Sequence, residues 1–137
     1  MKAPTLDQYI DHAAAGMTAG ELRRLFALAD RLPEKAALAD PVRHPRLAGQ
    51  ADALRRIFSD AASLVAHPKS LGDSFGELGV AAAYLLKGYD RIPDNVPGLG
   101  LDDDALIMDR VFSRNQEWLT ERLAPQLSNS EISALFQ

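Results

Sequence analysis

The stretch Val80–Asp104, VAAAYLLKGYDRIPDNVPGLGLDDD, decides how the rest of the chain reads. Val80–Leu86 is apolar almost all round, the pattern of a helix covered on several sides. Gly88 stands where a helix C-terminal cap is wanted. Tyr89–Leu101 then holds two prolines and two glycines, which exclude regular structure. Ile92, Val96, Leu99 and Leu101 are apolar, so the composition predicts a loop packed down on the core. Asp102-Asp103-Asp104 sets negative charge at the positive end of a following helix dipole. A helix, a stiffened elbow and a second helix make a hairpin, because short connections favour antiparallel neighbours.

Working outward, Ser70 and Asp73 signal the start of the first hairpin helix, expected over about 71–87. Before it, Leu54, Ile57, Phe58, Ala61, Leu64 and Val65 form the buried stripe of a helix over about 47–66. Arg55, Arg56, Ser59, Asp60 and Ser63 fall mainly on its other faces, and His67-Pro68 ends it. Asp40–Pro45 holds two prolines and reads as a connector. Leu6, Tyr9, Ile10 and Ala13 predict a first helix near 5–16, stopped at Gly16. Thr18 and Glu21 have the spacing of a capping box. Leu22, Leu25, Phe26 and Ala29 continue that second helix to near Leu32, where Pro33 should end it and open a short helix at 34–38. Beyond the elbow, Ile107, Met108, Val111, Trp118 and Leu119 give one helix from Asp102 to about Leu123. Asp109, Arg110, Ser113, Arg114, Glu117 and Glu121 read as its solvated side. Pro125 closes it, and Ser128 with Glu131 marks a last helix at 130–136. No segment alternates with period two. The expectation is a single compact all-α domain over 1–137, with five or six helices and two long antiparallel ones joined by the Pro/Gly/Asp-rich loop.

A chain of 137 residues suits one domain. With 47% hydrophobic residues it is too apolar for a disordered chain. A net charge of -4 argues against a general nucleic-acid binder, which needs a basic face. The absence of Cys excludes catalytic thiols, zinc fingers and disulfides. The first dozen residues carry acids and no continuous apolar core, unlike a signal peptide. The longest uncharged apolar run, Leu78–Leu86, is about half the roughly 20 residues of a spanning helix. A cytoplasmic chain is expected, with a peripheral place at the inner face of a membrane as the alternative. Residues 1–70 balance at +2 and residues 71–137 at -6. The acidic excess lies between Asp90 and Asp109, where a cation partner should be sought.

The most specific local pattern is Asp90-x-Ile92-Pro93-Asp94-x-Val96-Pro97-x-x-Gly100-x-x-Asp103-Asp104, preceded by Tyr84-Leu85-Leu86. In order and spacing it resembles the signature of the YkvA-like proteins, domain of unknown function 1232, over roughly 79–110. Val96 replaces the usual Ile. Arg91 and Asn95 stand where an apolar and an aromatic residue are common, making this loop more polar. The resemblance implies no defined activity; some members of that family are similar to membrane-associated proteins or sit inside longer chains.

The same residues have two physical readings. Carboxylates beside turn prolines accept hydrogen bonds from backbone N–H groups, and Asp102–Asp104 cap the next helix. This turn-clamp reading covers Asp90, Ile92, Pro93, Asp94, Val96, Pro97, Gly100, Asp103 and Asp104 without a ligand. The alternative has Asp90, Asp94, Asp103 and Asp104 converge on a divalent cation, which wants several oxygen ligands, as a structural metal or a metal-assisted hydrolase. Capping is favoured, because paired carboxylates at helix starts are common. No nucleophile, catalytic residue or substrate pocket is identifiable, and no cofactor beyond that cation is implied. Gly72-Asp73-Ser74-Phe75 resembles a hydrolase nucleophile block but lacks the preceding strand. His12, His44 and His67 have no i, i+4 pairing. Gly98-Leu99-Gly100 lacks the strand–turn–helix setting of a dinucleotide loop. The sequence therefore points to a small non-enzymatic helical protein that binds an unknown protein partner or itself.

Overall fold

Three helices begin with the same local device. Thr5, Thr18 and Ser128 each accept a hydrogen bond from a backbone N–H three residues on, at 3.1, 3.1 and 3.2 Å. Gln8, Glu21 and Glu131 reach back to the backbone N–H of the capping residue at 2.9, 3.3 and 2.9 Å. Each capping box satisfies two orphan donors of a helix start. The Thr18 and Ser128 boxes follow the sequence reading; the Thr5–Gln8 box is an addition.

The computed structural model describes residues 5–64, 73–87 and 102–137. Among them are eight helices and no strand: α1 Leu6–Ala15, α2 Ala19–Ala27, α3 Arg31–Ala36, α4 Leu47–Leu64, α5 Asp73–Lys87, α6 Asp102–Arg114, α7 Gln116–Leu123 and α8 Asn129–Ser133. The predicted elbow at 89–101 and the His67-Pro68 helix end lie outside the described residues.

Eight helices are described where five or six were expected; boundaries differ from the sequence reading at two breaks, of which the second adds a helix. Helix α2 stops at Ala27, not near Leu32. The Leu28 N–H is shared between the carbonyls of Arg24 and Leu25, both at 3.1 Å, which tightens and ends the turn. Pro33 then sits inside the first turn of α3, where a missing N–H costs nothing. Leu32, fully buried, is helical despite preceding a proline, so packing overrides the local preference. The second break divides the predicted helix 102–123 at Asn115, whose φ is -116° and ψ 24°. Its side chain donates to the Val111 carbonyl at 2.8 Å and to Glu77 Oε1 at 3.2 Å, and accepts from Ser74 Oγ at 2.9 Å. A short polar side chain that bonds its own backbone competes with the helical ladder.

Helix α5 is the hub, touching α1, α2, α3, α4 and α6, as its all-round apolar second half requires. Phe75 of α5 meets Phe26, Phe58 and Trp118 with ring centroids at 5.9, 6.5 and 5.2 Å. Arg122 lies over the Trp118 ring at 4.9 Å. Ser74, early in α5, bonds Asn115 at the end of α6, while Tyr84, late in α5, shares a cleft with Asp103 and Leu106 at the start of α6. The two helices are therefore antiparallel. The same logic orients α1 against α5, since Tyr9 meets Tyr84 and Ala14 meets Gly76. A Cβ on Gly76 would lie 3.2 Å from the Ala14 carbonyl oxygen, so glycine lets these backbones close up.

Candidate functional site

Tyr9 of α1 and Tyr84 of α5 meet edge to face, with centroids 6.2 Å apart and rings at 86°. Tyr9 comes to this edge because it follows Leu6 by three residues while Ile10, one position on, takes the buried side of α1. Tyr84 is placed where α5 passes between α1 and α6. The pair borders two neighbouring clefts. The first, about 440 Å³, runs from Leu6 to Asp103 and Leu106. The second, about 670 Å³, is floored by Val80 and Ala83 and walled by Met17, Leu25 and Leu28, with Glu21 and Arg24 also lining it. Both tyrosines line both clefts. Tyr9 is 39% exposed and Leu106 57% exposed, so large apolar side chains face solvent beside an apolar floor.

Burial, then Tyr9, Asp103 and Asp104 in turn, push the Tyr84 hydroxyl above the usual tyrosine range. It stays a neutral phenol at physiological pH, with an apolar ring face. The clefts thus hold an aromatic pair, aliphatic walls and a few charges.

Of the residues the sequence singled out, Asp103 and Asp104 are described. Asp103 is exposed and lines the smaller cleft, whereas Asp104, its neighbour on α6, is 5% exposed. Both carboxylates act on the Tyr84 hydroxyl. Asp90, Ile92, Pro93, Asp94, Val96, Pro97 and Gly100 lie outside the described residues. Among the described residues, no three His, Asp or Glu side chains come together to hold a metal ion. Ser74, in the hydrolase-like block, is a helical residue bonded to Asn115.

The sequence reading missed the clefts. Tyr9 and Tyr84 were legible as members of apolar stripes, and nothing local distinguishes a stripe residue that is covered from one left at an edge. Three side chains of α6 read as solvated make ion pairs, Arg110 while staying exposed and Asp109 and Arg114 while part-buried. Asp109 binds Arg46 and Gln50, Arg110 binds Asp7, and Arg114 binds Asp7, Asp11 and Glu77.

Comparison with known proteins returns no match, neither a family model nor a curated protein nor a solved structure. Among the described residues, no helix is long and apolar enough to cross a membrane.

Proposed function

We propose that this chain is a non-enzymatic helical interaction module whose docking surface is the groove astride Tyr9 and Tyr84, with YkvA-like membership on the strength of the 79–110 motif. The observation that carries the reading is the exposure of Tyr9 and Leu106 beside two largely apolar clefts that share Tyr9 and Tyr84. Aromatic residues and Met are enriched where proteins meet, and Tyr covers much area for little entropy. Glu21 and Arg24 supply charges of both signs for registering a partner. The partner is another protein or a second copy of the chain, and the setting is the cytoplasm.

A photo-crosslinking residue at Leu106, compared with one at the 88% exposed Val42 away from the groove, tests this in cells. Adducts at 106 that are absent at 42 are the expected result. No adducts, or the same adducts at both positions, overturn it. Cosedimentation with anionic vesicles tests the alternative of a peripheral place on a membrane. The cation alternative, as a structural metal or a metal-assisted hydrolase at Asp90–Asp104, is tested by melting with and without calcium, magnesium or manganese. Saturation at about 100 times the dissociation constant would add roughly 2.7 kcal/mol; the interaction reading expects no shift.

A further inference from the structure

Helix α1 is fastened differently from the rest of the bundle. It buries one side chain completely, Ile10, where α4 buries Leu47, Leu54, Ile57 and Phe58. Among the described residues, the rest of its attachment is a half-buried fringe of Leu6, Ala13 and Ala14, the Tyr9–Tyr84 edge, and charge. Arg110 of α6 donates from Nε and Nη2 to the two carboxylate oxygens of Asp7, each at 2.7 Å. Arg114 donates to the Asp7 carbonyl at 3.1 Å and to the Asp11 carboxylate. Its Nε pairs with Glu77 of α5 at 2.9 Å, which holds the guanidinium in place. The Arg110 and Asp7 side chains are 45% and 44% exposed, so dissolved ions reach the pair.

We propose that α1 is a strap closed by an ionic latch. Asp7 and Asp11, gripped by Arg110 and Arg114, hold it across α5. Weakening those pairs opens α1 locally and removes one wall of the Tyr9–Tyr84 groove while the other helices stay folded. Segments with few buried apolar contacts open below the cost of global unfolding. The latch belongs to the chain alone and is read without any partner, so its failure is distinguishable from failure of the docking reading.

Amide hydrogen exchange of the full chain tests it, at about 0.01 M and about 1 M sodium chloride, between which the Debye length falls from about 30 to about 3 Å. The α1 amides should exchange about three- to tenfold faster at high salt, with α4 unchanged, as the loss of exposed ion pairs implies. Asp7→Asn should reproduce most of that acceleration at low salt. A covalent lock gives the converse. A Cβ at position 76 would lie 3.6 Å from the Ala14 Cβ, within the roughly 3.5–4.5 Å that a disulfide spans. The chain has no other cysteine to compete. Oxidised Ala14→Cys, Gly76→Cys protein should exchange α1 as slowly as α5 at both salts, and reduction should restore the salt effect. If the crowded Gly76→Cys change prevents folding, the wild-type salt series and Asp7→Asn decide. Exchange of α1 at the same rate as α4 and α5 in both salts, or equal acceleration of every helix, overturns the latch.

Discussion

Arg46 grips Asp109 with two parallel hydrogen bonds, Nε to Oδ1 and Nη2 to Oδ2, both 2.9 Å, across 63 residues of sequence. Gln50 adds a third donor to Oδ1 at 2.8 Å and also donates to the Leu135 carbonyl at 3.0 Å. One carboxylate thereby joins the start of α4, the middle of α6 and the segment after α8. A two-toothed Arg–carboxylate pair has more geometric definition than a point-charge contact. The Arg46 and Asp109 side chains remain 32% and 36% exposed, so water still weakens the attraction.

Asp109→Ala should therefore lower stability by about 1–2 kcal/mol, most of it from the unpaired Gln50 and Arg46 donors. Arg46→Ala should cost less. A double-mutant cycle read by urea unfolding should give a coupling of about 0.5–1 kcal/mol; a value near zero would show that the pair is only a surface contact.

Acid should unfold the chain through a small set of carboxylates. At Asp109 and Asp52 burial pushes the carboxyl up, but hydrogen bonds from Arg46 and Gln50, and from Arg56 and Arg55, outweigh it and hold both below the usual range. The Arg110 hydrogen bond lowers Asp7, and the Ser128 backbone N–H lowers Glu131. A depressed carboxyl contributes stability that is complete above its unfolded value, about 4, and is lost as pH falls through the folded one. The urea midpoint should drop as pH falls below about 4, and Asp109→Asn should make that drop shallower. An unchanged pH slope in Asp109→Asn would remove Asp109 from the acid response.

Two glycines in helices should respond oppositely to alanine. At Gly20 the nearest atom to a new Cβ is Thr18 Oγ1 at 3.9 Å, so Gly20→Ala should stabilise by about 0.5–1 kcal/mol through helix propensity. At Gly79 a Cβ would stand 2.9 Å from Leu22 Cδ2 and 3.3 Å from Met17 Cε. Leu22 is buried and has little room to move, so Gly79→Ala should destabilise by about 1–2 kcal/mol despite the same propensity gain. Thermal melts of the two single variants are sufficient.

Asn115→Ala should cost about 1–3 kcal/mol. It leaves the Ser74 hydroxyl without its acceptor and Glu77 without one donor at a position 7% exposed. Ser74→Ala in the Asn115→Ala background should add little, because their shared bond is already gone. Additive costs in the urea transition would mean that the two side chains act separately.

Much of this architecture was readable from local spacing. The Thr18–Glu21 and Ser128–Glu131 boxes, the stripe through Leu54, Ile57 and Phe58, and the all-round apolar Val80–Leu86 depend on residues within two turns of one another. The end of α2 was not readable, because Pro33 is tolerated in a first turn as easily as it stops a helix. Neither was the break at Asn115, whose partners Ser74 and Glu77 come from another helix. For the proposed groove, the sequence supplied the tyrosines but not the exposure of Tyr9.

By itself, then, the order of residues determined an all-helical chain, its helix starts and its main apolar stripes, since caps and periodicity are short-range properties. Tertiary structure alone decided that Asp7 closes on Arg110, that Asp109 closes on Arg46, and that Tyr9 and Tyr84 remain at an open edge. Those outcomes depend on which faces meet after distant segments pack, and an ion pair or an exposed ring is a property of that meeting rather than of either segment.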